Sequence, residues 1–186
     1  GTLSAFGAEY DALADVIAFG IAPSLLALLW GLQNFGKFGW LGAFVFTACG
    51  ALRLARFNSQ AHSASKRYFQ GLPIPTAATV LASLVWVAVG EGYPWLTEIA
   101  RYLALALVYL LGLLMVSNIR YRSFKDIDLH GRMPFALAIS VVLILAAIAV
   151  HPPLVLFVIS LVYVLIGVLS TLWQLSQRRR HRRDAH

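Results

Sequence analysis

An all-α fold, a polytopic membrane helical bundle, is what this sequence predicts, and three observations carry the prediction. Of the 186 residues, 60% are hydrophobic and only 12% are charged, far from the balance of a water-soluble globular chain. The apolar residues gather in six runs, each close to the ~20 residues that a helix needs to cross ~30 Å of hydrocarbon. The basic residues fall between those runs instead of forming one face.

In order, the runs lie at about Leu13–Leu32, Trp40–Leu54, Ile74–Gly90, Ile99–Val116, Pro134–Val150 and Leu154–Leu175. The first stops at Asn34-Phe35-Gly36, a turn signal. The second is short, but it extends through Arg53 and Arg56 if their side chains snorkel or line a polar cavity. Gly71-Leu72-Pro73 opens the third, and Gly90-Glu91-Gly92-Tyr93-Pro94 separates it from the fourth. His151-Pro152-Pro153 divides the last two. Trp30, Trp40, Trp86, Trp95 and Trp173 mostly stand near run ends, where aromatic belts sit. The single cysteine, Cys49, excludes an intrachain disulfide framework. One membrane domain over residues 1–175 and a basic cytoplasmic tail over 176–186 are expected.

Charge placement orients the bundle. All of the fifteen lysines and arginines except Lys37 and Arg101 lie on one side if the six segments alternate. They are Arg53, Arg56, Lys66 and Arg67, then Arg120, Arg122, Lys125 and Arg132, then the arginines of the 178–183 cluster. The positive-inside rule places that side, and the start of the first helix, in the cytoplasm. The net charge of +7 therefore points to anionic membrane lipid gripped by the tail, not to nucleic acid.

The residues that carry chemistry stand at the mouth of the first run, in Gly7-Ala8-Glu9-Tyr10-Asp11-Ala12-Leu13-Ala14-Asp15. On a helix, Asp11 and Asp15 share a face, with the bare Gly7 one turn earlier. No Lys or Arg precedes Lys37 to pair them. Two carboxylates at a membrane surface without His or Cys nearby suit a hard cation, Mg²⁺ or Mn²⁺. The plain alternative is that both only solvate the helix end. Arg53 and Arg56, on the next helix, suit a phosphate or carboxylate, or serve as a positive-inside anchor pair. Asp126, Asp128 and His130 alternate like a metal site, but a solvated turn between helices explains them better.

Gly7-x3-Asp11-x3-Asp15 resembles the second half of the CDP-alcohol phosphatidyltransferase signature, Asp-x2-Asp-Gly-x2-Ala-Arg-x8-Gly-x3-Asp-x3-Asp. Further stretches resemble the bacterial phosphatidylserine synthase branch of that family. They are Phe6–Asp11 with Leu13-Ala14-Asp15, Arg53-Leu54-Ala55-Arg56-Phe57-Asn58, Gly71-Leu72-Pro73-Ile74-Pro75, and Ser117–Tyr121 leading to Ser123-Phe124-Lys125. Only six residues precede Gly7, so the first half of the signature falls outside this chain. Eight membrane helices are then expected for the whole protein, and the 186 residues alone are expected to be inactive.

The resemblance implies an enzyme that moves the phosphatidyl group of CDP-diacylglycerol to the hydroxyl of L-serine and releases CMP. It implies Asp11 and Asp15 as metal ligands, Asp15 also as general base, and Gly7 as room for the nucleotide. Substrate contacts are expected from Arg53, Arg56, Asn58, Arg120 and Lys125, with a homodimer in a bacterial inner membrane. For Arg120 and Lys125 the plainer reading, as cytoplasmic anchors, is the stronger one, and Asn58 reads as an orienter of Arg56 or the start of a loop. A sister enzyme using glycerol phosphate or inositol phosphate is the near alternative. A small ion-coupled transporter is a distant one, since no internal repeat is visible and the carboxylates sit at a helix end.

Overall fold

The computed structural model describes residues 5–60, 68–90, 94–122 and 151–183, with positions 139, 143, 145, 146 and 148–150 between them. The first helical rod comprises α1 (Ala5–Asp15), a π-helical turn (Val16–Ile21) and α2 (Ala22–Trp30). A 3₁₀ turn (Leu32–Phe35) leads into α3 (Lys37–Gln60). Then come β1 (Tyr68–Gln70), α4 (Ile74–Gly90), α5 (Pro94–Val116), β2 (Arg120–Arg122) and α6 (Pro152–Arg183).

Four of these helical stretches are long and apolar enough to cross a membrane: Glu9–Trp30, Lys37–Ser59, Trp95–Val116 and Pro152–Thr171. The apolar α4 is shorter. Of the fifth expected segment, 134–150, the described positions are all helical, and the rest lies outside the described residues.

The short helix is the central one. Helix α4 packs against α2, α5 and α6, and Ala77, Val80 and Leu81 are fully buried. A helix apolar all round belongs inside a bundle. The rim faces outward with residues such as Leu29, Phe44, Leu113 and Trp173, all exposed. That much exposed apolar surface suits lipid, not water.

Small residues bring α3 and α5 together, as membrane packing favours. A Cβ on Gly42 would sit 2.7 Å from Val108 Cγ1, and one on Gly112 would sit 3.5 Å from the Phe46 Cα. The tight entry to α3 uses Gly36 at φ +55°, and a Cβ on Gly39 would meet the Leu32 carbonyl oxygen at 1.8 Å.

Helix α4 keeps the expected bounds, Ile74–Gly90, and α3 makes the extension that the sequence allowed, whereas other helices run beyond their apolar stretches. Helix α1 starts eight residues before Leu13, α3 runs past Arg53 and Arg56, and α6 runs on through Arg183. Hydropathy marks where lipid is, while helical hydrogen bonding continues into the headgroup region. A two-stranded antiparallel ribbon, which no apolar alternation announced, pairs Phe69 with Tyr121 and Gln70 with Arg120.

Candidate active site at the head of the first helix

Gly7, Asp11 and Asp15 all lie within α1, as the four-residue spacing requires. Gly7 and Asp15 are half-buried and Asp11 is exposed. Among the described residues the one ion pair is Arg101 with Glu98, on α5, so neither aspartate is tied to a described cation. The described residues contain no cluster of three or more metal-ligating side chains. Two carboxylates one turn apart thus provide an oxygen-only, incomplete ligand set. That chemistry fits a hard divalent ion, which usually keeps several waters and takes further oxygens from phosphate.

Their height relative to α3 follows from one contact. The Thr47 hydroxyl lies 3.4 Å from the Gly20 carbonyl oxygen, and the short Gly31–Gly36 connection makes the two helices antiparallel. Counting rises from that point, with the extra residue of the π turn allowed for, puts Asp15 level with about Ala51 and Leu52, and Asp11 level with about Ala55 and Arg56. The carboxylates and arginines stand at the same end of the bundle.

The arginine pair divides in two. Arg56 Nη1 donates to the Val116 carbonyl and to Asn118 Oδ1, each at 3.3 Å. It therefore ties the end of α3 to the end of α5. Arg53 is half-buried, and its Nε is shielded from solvent without a hydrogen-bond partner among the described residues. The Tyr163 hydroxyl on α6 is near enough to interact electrostatically with the Arg53 guanidinium. Asn58 is exposed in the last turn of α3; Asn118, not Asn58, holds Arg56.

Beneath this end, Gly71-Leu72-Pro73 is stitched to α5. The Gly71 N–H donates to the Ile119 carbonyl at 2.9 Å and the Leu72 N–H to the Leu114 carbonyl at 3.1 Å. Gly71 has φ +81°, and a Cβ there would lie 2.2 Å from the Met115 carbonyl oxygen, so only glycine fits. Arg120 enters the ribbon opposite Gln70 through its backbone. Lys125, Asp126, Asp128 and His130 lie outside the described residues.

Sequence reasoning missed Asn118, Tyr163 and a hydroxyl pair, Ser24 and Thr47, that sits 2.9 Å apart where the π turn meets α3. Pro23, just beyond that turn, was the available signal. In a regular helix a proline leaves the carbonyl four residues back unpaired and crowds it.

Residues 1–110 match the family model described as CDP-alcohol phosphatidyltransferase. The chain is 40% identical over 172 residues to a protein of Helicobacter pylori strain 26695 named CDP-diacylglycerol–serine O-phosphatidyltransferase, covering 92% of this chain and 70% of that one. A protein of the same name from Methanocaldococcus jannaschii is 38% identical over 128 residues, covering 68% of this chain and 54% of that one. With the paired carboxylates of α1 set in the matched region, the chain belongs to the CDP-alcohol phosphatidyltransferase family.

Proposed function

We propose that this protein transfers the phosphatidyl group of CDP-diacylglycerol to L-serine, giving phosphatidylserine and CMP, at the cytoplasmic face of a bacterial inner membrane. The observation that carries the proposal is the pair Asp11 and Asp15 at the head of a membrane helix, level with Arg53 and Arg56, in a chain similar over most of its length to proteins named for this reaction.

Asp11 and Asp15 would hold Mg²⁺ or Mn²⁺, which supplies charge neutralisation at the diphosphate and the departing CMP. Asp15 accepts the proton of the serine hydroxyl. The serine oxygen bonds to the phosphorus that bears the diacylglycerol, and the phosphorus–oxygen bond to CMP breaks. Gly7, with no side chain, leaves room beside the carboxylates for the nucleotide. The Arg53 guanidinium, whose shielded Nε has no hydrogen-bond partner among the described residues, offers positive charge to a phosphate oxygen or the serine carboxylate. Arg56, fixed by Asn118, holds positive charge at the rim of the site. Asn58, Arg120 and Lys125 complete the proposed substrate contacts. Six membrane crossings, a tail resting on anionic lipid and a homodimer complete the proposal.

The test is a panel of acceptor alcohols offered with CDP-diacylglycerol to the protein expressed from its complete reading frame. Serine should release CMP, while glycerol phosphate and inositol phosphate should not. Faster turnover with a phosphorylated acceptor would replace serine as the substrate.

A further inference from the structure

The rod from Ala5 to Trp30 contains one irregularity, and it directly follows Asp15. Over Val16–Ile21 the hydrogen bonding widens to π, and the Ala22 N–H donates to the Ile17 carbonyl five residues back. Backbone dihedrals stay in the right-handed helical region on both sides, at Asp15 and at Ala22. The rod is therefore continuous but carries one residue more than a regular turn holds. Each residue turns an α-helix by about 100°. The wide turn thus rotates everything before it by roughly that angle relative to a regular helix.

The two ends of the rod are fixed very differently. In α2, Pro23, Ser24, Ala27 and Leu28 are buried. In α1 no described side chain is buried. Packing fixes the rotation of α2, and α1 inherits its own rotation through the π turn. The direction in which Asp11 and Asp15 point is thereby decided at Val16–Ile21.

A widened turn in the bilayer leaves carbonyls poorly paired, which is costly without water. Two hydroxyls stand at this point. Thr47 Oγ1 lies 3.4 Å from the Gly20 oxygen, 3.0 Å from the Ala43 oxygen and 2.9 Å from Ser24 Oγ. Ser24 Oγ lies 2.8 Å from the Ile21 oxygen. Two protons shared among these oxygens bind the wide turn to α3. We infer that Thr47, with Ser24, is a positioning residue that holds the π turn open and so aims Asp11 and Asp15 at the metal they are proposed to share.

This inference rests on the metal-binding role proposed for the two aspartates, and the experiment separates them. Mn²⁺ alone is titrated by electron paramagnetic resonance into detergent-solubilised protein from the complete reading frame, with steady-state kinetics alongside. Thr47→Val, which keeps the shape and removes the hydroxyl, should weaken Mn²⁺ binding about tenfold and lower kcat similarly, with the serine KM unchanged. Thr47→Ser should restore both. Ser24→Ala, which leaves Thr47 its carbonyl partners, should weaken Mn²⁺ binding about threefold, and it decides the matter if Thr47→Val does not fold. Wild-type Mn²⁺ affinity in the folded variants would overturn the inference and leave the proposed function standing. Failure of the wild-type protein to bind Mn²⁺ would overturn both.

Discussion

Arg56 donates through one nitrogen to Asn118 Oδ1 at 3.3 Å, across sixty-two positions of sequence. The same nitrogen reaches the Val116 carbonyl, so a charge that the spacing offered to substrate also closes the adjoining ends of α3 and α5. A half-exposed charged hydrogen bond of this kind is worth about 1 kcal/mol after solvent screening. Arg56→Lys keeps the charge but lacks the planar fork. A double-mutant cycle of Arg56→Lys with Asn118→Ala, read by thermal unfolding in detergent, should show a coupling of about 1 kcal/mol. Additive effects would mean that the two side chains act independently.

Gly36 and Gly71, the two positive-φ glycines among the described residues, should respond differently to alanine. Gly71→Ala combines left-handed backbone with a Cβ driven into the Met115 carbonyl, so the protein should lose several kcal/mol and fail to accumulate. Gly36→Ala meets nothing within 4 Å and should cost only about 1–2 kcal/mol. Equal melting temperatures for the two would contradict the close approach at Gly71.

Packing between α3 and α5 makes a third prediction. Gly42→Leu pushes a side chain into Val108 and Tyr109 and should separate the helices, at a cost of about 1–3 kcal/mol or more. Leu41→Ala, next in sequence but exposed, should change stability little, because lipid replaces the lost contact. Thermal-shift measurements on both variants check the difference.

The core makes a fourth. Leu81 is fully buried in α4, and Leu81→Ala should cost about 2–5 kcal/mol. Leu113, 65% exposed on α5, should tolerate the same change. A larger loss at Leu113 would mean that its face is covered by protein.

The membrane class, the helical setting of Gly7, Asp11 and Asp15, and the extension of the second segment through Arg53 and Arg56 were legible because they depend on local patterns: apolar run length and four-residue spacing. What was not legible depends on tertiary partners. Nothing in the spacing of Arg53 and Arg56 says that one meets Asn118 while the other faces Tyr163. The β1–β2 ribbon arises because Gly71 and Leu72 are pinned to the end of α5, a contact made across more than forty residues. The π turn had a local sign, Pro23, but its stabiliser Thr47 lies on another helix.

Asp15→Asn tests the account most directly. The change removes a proton acceptor while preserving shape, in the protein expressed from its complete reading frame. With CDP-diacylglycerol, labelled serine and Mn²⁺, the wild-type protein should form phosphatidylserine and release CMP in equal amounts. Chelation should stop it. Asp15→Asn should lose turnover by about 10³-fold or more while still binding the lipid substrate. Serine transfer at the wild-type rate by Asp15→Asn would contradict the role of Asp15 as the base and, with it, the proposed chemistry of the site.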